Sequence, residues 1–201
     1  MNTHGFLSIE KDRAPWSKAI SDGYLTVAAI GVLSGIVVTF ARTPLHWPGH
    51  KVIFWMAPIL ASRMATRTRV GTTVGTFSAS LTALILGGRL AGGPAMMPLV
   101  ILAGALIDKA VQIVERRERS IWRIVLFLAL AGVLGNLICF VKRLFDPIGA
   151  YFSTGNISDM ITMAVSHAIF GFLAGLIGAS AGLALLAFRR ADSAGGDGQK
   201  I

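Results

Sequence analysis

The chain has 201 residues, of which 54% are hydrophobic and only 14% charged. A soluble domain averages about 25% charged residues, so this sequence lacks the polar surface to cover a water-soluble globule, which excludes a cytosolic enzyme or a nucleic-acid binder. Its net charge of +9 comes from basic residues clustered between long apolar runs, the pattern by which membrane proteins mark their cytoplasmic side.

A helix crossing the hydrocarbon core needs about 20 mostly apolar residues. Residues 1–23 are polar, with Lys11, Arg13 and Lys18 balanced by Glu10, Asp12 and Asp22, and read as a cytoplasmic N-terminal segment. Thr39-Phe40-Ala41 is a poor cleavage site, so the first span, 24–41, is retained as an anchor rather than removed as a signal peptide. The next apolar run, 52–62, is short and is followed by Arg63, Arg67 and Arg69. Continued through Met64 and Ala65, with the arginines snorkelling to the surface, it becomes a full span. Further spans are expected at 70–88, 90–107 and 124–141. A last one at 160–188 exceeds one crossing and should tilt. Residues 189–201 read as a disordered cytoplasmic tail.

Charge asymmetry decides the count. With six spans and both ends inside, the inner side holds fourteen basic residues and the outer side only Arg42, Lys51, Arg89, Lys142 and Arg143. That bias fits the positive-inside rule, whereas a re-entrant 52–62 segment weakens it. The expected fold is an all-α integral membrane protein: a six-transmembrane-helix bundle over 24–188, both termini cytoplasmic, in the cell's inner (plasma) membrane.

Small residues recur every four positions in several spans. Gly71, Gly75, Ala79, Ala83 and Gly87 form a smooth stripe on the third helix, and Gly31 and Gly35 share the spacing on the first. Helices in lipid gain little from burying apolar side chains, so such stripes mark close helix contacts. They serve packing within one bundle; the functional alternative is that Gly31 and Gly35 dock another membrane subunit.

Polar groups at membrane depth are costly and therefore informative. Asn136, shortly before the outer end of the fifth helix, and His167, shortly after the outer start of the sixth, should lie at similar depth. The first outer loop adds His46, Trp47 and His50, with Pro44 and Pro48 stiffening it. Trp55 opens the second helix, and Tyr151 lies in the last outer loop. Together these seven residues outline a small-molecule pocket open to the outside, an apolar cleft with a few directed polar groups. Each also has a plainer role. Trp47, Trp55 and Tyr151 suit an interfacial belt, Asn136 a helix bridge, and His167 a packing position. His46 and His50 have a spacing that suits a metal on a helix, but Pro48 between them disfavours that helix, so no metal site is expected. Deeper in, Asp108 needs a counter-charge. Arg63, at similar depth, would supply a structural ion pair.

Enzyme signatures fail. Gly178-Ala179-Ser180-Ala181-Gly182 with His167 is similar to rhomboid protease elements, but serine and histidine here lie about 20 Å apart along one helix. No phosphate-binding glycine loop ends in Lys-Ser/Thr. Neither a catalytic residue nor a cofactor is expected.

The size, the six spans with inside termini, Gly31 and Gly35 on the first helix, the long outer loop before a short second helix, and Gly104-Ala105-Leu106-Ile107-Asp108 together resemble the substrate-capture subunit (S-component) of energy-coupling-factor transporters. The resemblance covers residues 24–188 in architecture. It departs from the family in carrying glycines where an alanine pair is usual on the first helix. It implies capture of a vitamin or cofactor precursor in the outer half, gated by residues 42–51, with a transmembrane coupling subunit and separate ATPase subunits as partners. The alternative is a non-transporting membrane scaffold or assembly subunit.

Overall fold

The computed structural model describes residues 16–41, 47–88, 90, 94, 97–117, 120–141 and 157–195. All its regular structure is helical: α1 (Trp16–Phe40), α2 (Val52–Thr66), α3 (Gly71–Ile85), α4 (Met97–Arg117), α5 (Ile121–Val141) and α6 (Ile157–Gly195). Successive helices run in opposite directions. Four carry stretches long and apolar enough to cross a membrane, in α1, α4, α5 and α6, as a membrane protein requires. At 15 residues each, α2 and α3 reach about 22 Å, short of the roughly 30 Å hydrocarbon core.

The short α2 is the hub. Ile59 packs at Gly75 of α3, Met56 at Gly135 of α5, and Ala57 and Leu60 at Gly178 of α6, while Arg63 reaches α4. Most of its residues are buried, on every side, whereas α1 turns Leu25, Leu33 and Phe40 outward. A helix apolar all round belongs in the centre of a bundle, and that position explains why 52–62 carries no polar face.

Small residues set the helix spacing. A methyl added to Gly31 would strike the carbonyl of Gly75, and one added to Gly35 would press on Ala79. The stripe on α1 therefore meets the stripe on α3, the packing within one bundle that the spacing predicts, and at Gly31 and Gly35 the close approach is made by a helix of this same chain. On the other side of the bundle Gly132 and Gly171 meet backbone to backbone, joining α5 to α6.

The boundaries of several helices differ from expectation. The fourth helix starts at Met97, not Leu90, and runs on to Arg117. Pro94 and the Gly92-Gly93 pair oppose helix, while Pro98 is tolerated in a first turn, where its missing N–H costs nothing. The third helix stops at Ile85 because Gly87 adopts φ +70°. There the Gly88 N–H donates to the Ala83 carbonyl and the Gly87 N–H to that of Leu84, a Schellman close that left-handed glycine permits. Helix α6 continues to Gly195, so residues 189–195 of the expected disordered tail are helical. Helix α1 begins at Trp16, inside the expected polar N-terminal segment.

Candidate functional site

Two polar centres lie at opposite ends of the bundle. The first gathers where α2 ends, α3 begins and α4 passes. Asp108, now in the middle of α4, accepts hydrogen bonds from the backbone N–H of Thr72 (2.9 Å) and of Thr73 (2.8 Å), and from the Thr73 hydroxyl (2.7 Å). The opening N–H groups of a helix have no intrahelical partner, and in hydrocarbon no water replaces one. The carboxylate therefore acts as an N-cap delivered from a neighbouring helix, favoured further by the positive end of the α3 dipole. Arg63, only 1% exposed, brings its Nε to 3.6 Å from Asp108. Its two terminal nitrogens form a fork on Glu115, at 2.6 and 3.2 Å. The structure thus joins Arg63 and Asp108, and adds Glu115, Thr72 and Thr73, which the sequence reading missed. Glu115 follows Asp108 by seven residues, two helical turns along one face, and that spacing was the available signal once α4 was extended past Ile107.

The second centre forms where residues 47–51 fold over the start of α6. The Ser166 hydroxyl donates to the Pro48 carbonyl at 2.7 Å. Gly49 lies flat against His167, and its φ of +83° suits glycine alone at so close an approach. Phe170 receives the rings of Trp47 and His50 edge to face, at centroid distances of 6.5 and 6.2 Å. Phe140 of α5 packs on His167 at 5.2 Å. Such edge-to-face pairs add about 0.5–1.5 kcal/mol each beyond area burial. Lys51 secures the end of the loop, its Nζ donating to the Val38 carbonyl of α1 at 3.4 Å.

The expected pocket residues separate into three groups. Trp47, His50 and His167 converge in this cluster. Asn136 lies beside it and donates from Nδ2 to the His167 carbonyl at 2.7 Å, while His167 Nδ1 pairs with the Met163 carbonyl at 2.8 Å. Trp55 is not at the cluster's surface but buried in the hydrophobic core, because α2 is the hub. His46 and Tyr151 lie outside the described residues. Phe140, Phe170, Ser166 and Gly49 complete the cluster; Phe170 follows Ser166 by one turn on the face that meets the loop, the spacing from which it could have been read.

Among the described residues no group of three or more His, Cys, Asp or Glu is placed to hold a metal. Between α3 and α4 lies a cavity of about 20 Å³ edged by Ser80, Pro94 and Met97, room for about one water. No family model matches the sequence, and no curated protein or solved structure matches it either.

Proposed function

We propose that the protein is the membrane-embedded capture subunit of an importer, similar to the S-component of energy-coupling-factor transporters, binding a small planar molecule of the vitamin or cofactor-precursor class at the 47–51/α6 cluster. In this reading all six helices cross the plasma membrane, the short α2 and α3 with flanking residues snorkelling at their ends. Both termini are cytoplasmic, and the cluster opens outward. The observation that carries it is the convergence of Trp47, His50, Phe140, His167 and Phe170 from three distant segments at one end of the bundle. Ring edges and faces contacting one another there are the surfaces that a planar ligand exchanges for its own contacts. Energy for uptake would come from a transmembrane coupling subunit and ATPase subunits.

The second reading, a non-transporting scaffold, draws on a specific observation as well. Asn136 spends its amide on the backbone that joins α5 to α6, as a purely structural residue would. One experiment separates the two. The purified full chain is screened by thermal shift against water-soluble vitamins and their precursors, beside Trp47→Ala and Phe170→Ala. A compound that raises the melting temperature of the wild type and not of either variant supports capture; no stabilisation by any compound supports the scaffold.

A further inference from the structure

Helical hydroxyls in this bundle usually bond a carbonyl of their own helix. Those of Thr39, Thr66 and Thr162 each donate to the carbonyl one turn back, the back-bonding open to serine and threonine in helices. Two buried hydroxyls do not. Thr72 Oγ1 and Ser80 Oγ have no hydrogen-bond partner, and among the described residues the one other buried side-chain atom in that state is Arg63 Nε. All three lie along one line. Positions 72, 76 and 80 share a face of α3, and α4 answers them in antiparallel register, with Asp108 at Thr72, Gly104 at Thr76 and Val100 beside Ser80. A methyl on Gly104 would strike Thr76 Oγ1, so glycine there leaves the middle hydroxyl its place. One end of the line is Arg63, whose Nε stands 3.6 Å from Asp108, too far for a hydrogen bond. At the other end Ser80 opens on the cavity of about 20 Å³, where Leu84, Pro94, Met97 and Val100 present apolar side chains.

From this arrangement we infer that the α3–α4 line binds water, one molecule resting on Ser80 in the cavity and others passing Thr76 to reach Thr72 Oγ1 and Arg63 Nε. Side chains one helical turn apart are separated by about 5–6 Å, the span that one water closes with two hydrogen bonds of about 2.8 Å each. Thr76 Oγ1 donates to the Thr73 carbonyl at 2.9 Å and keeps its lone pairs to accept from a water. The cavity admits a guest of about that size. A lipid tail in its place would leave the Ser80 hydroxyl unpaired in hydrocarbon, at full cost. The line thus carries water from the end of the bundle that holds the aromatic cluster to the buried ion pair at the other. It is independent of the capture reading, because it runs between α3 and α4 and uses no residue of that cluster.

The test uses the full chain, isotope-labelled in phosphatidylcholine bilayers and read by water-edited solid-state NMR, in which sites beside water receive its polarisation first. Ser80 and Thr76 should gain signal early, Thr72 and Arg63 Nε next, and last Ala79, which is buried on the same helix against Gly35 of α1. Ser80→Ala should slow transfer to Thr76 without raising the melting temperature, since the lost hydroxyl held a water. Thr76→Val should cut transfer to Thr72 and Arg63 while sparing Ser80; if that variant does not fold, the wild-type order and Ser80→Ala decide. Transfer to Ser80 no faster than to Ala79 overturns the inference, and a melting temperature raised by Ser80→Ala would then mark a dry, unsatisfied hydroxyl. Transfer that reaches Ser80 but not Thr72 would confine water to the cavity and overturn the line. Polarisation arriving at Ser80 from acyl-chain protons instead would give the cavity to a lipid tail, which overturns it too.

Discussion

The two ends of the bundle solve opposite problems with opposite chemistry. At the arginine end, Arg63 and Asp108 are buried and paired: Arg63 is divided between Asp108 and Glu115, and Asp108 is itself bound to the start of α3. At the other end the cluster is built mainly of rings, with Lys51 at its edge. Its side chains meet through rings rather than forks, and Trp47 stays 61% exposed. A buried charge that loses its partner is punished heavily, whereas an edge-to-face pair is readily exchanged. The first arrangement holds three helices in register; the second can give up its contacts to a ligand. Stability and adaptability are thus kept at a distance from each other.

Substitutions can break this contrast, beginning with the largest effect. Arg63→Met should destabilise the chain by about 3–5 kcal/mol, because two carboxylates lose their buried counter-ion; thermal unfolding in detergent reads it, and an unchanged melting temperature would remove the node from the account. Asp108→Asn keeps the side-chain shape but turns one acceptor into a donor facing the N–H groups of Thr72 and Thr73. A cost of about 1.5–3 kcal/mol, the range for hydrogen bonds to charged groups, should appear in the same assay, together with faster amide exchange in the first turn of α3. Gly31→Leu should cost about 1–3 kcal/mol by overpacking, since the α1 stripe is filled by α3. It should do so in the isolated chain, where a docking glycine would show no effect. Asn136→Ala should be mild, about 0.6 kcal/mol, the average for a helix-bridging hydrogen bond in a membrane. Gly49→Ala sharpens the comparison from the other side. Its methyl would stand 3.0 Å from His167 at a left-handed φ, so the loop should lift off α6, seen as greater solvent quenching of Trp47 fluorescence with the helical core intact.

Depth arithmetic along antiparallel helices was enough to bring Asn136 near His167 and Arg63 near Asp108, because rise per residue is fixed and polar groups in lipid must find partners. The apolar runs likewise marked all six helices, including α2, whose shortness and lack of a polar face both follow from its central position. The helix ends were harder. The apolar content of residues 90–96 outweighed the break signalled by Gly92, Gly93 and Pro94, which displaced the fourth helix toward the outside and left Glu115 in what looked like a loop. The cap of α3 by Asp108 was illegible for a different reason: capping is normally sought within a few residues of the helix start, and this carboxylate comes from 36 residues away. Small-residue spacing revealed that helices approach closely but carries no information about which helix is met, so Gly31 and Gly35 could be assigned to a partner only by guess.

The capture reading requires the aromatic end to face outward and the arginine end the cytoplasm. In a Cys139→Ser background, single cysteines at Trp47 and at Arg117 can be treated with a membrane-impermeant maleimide in intact cells and again after lysis. Labelling at position 47 in intact cells, with position 117 reacting only after lysis, is the predicted result. Labelling at 117 in intact cells would invert the molecule and contradict the account.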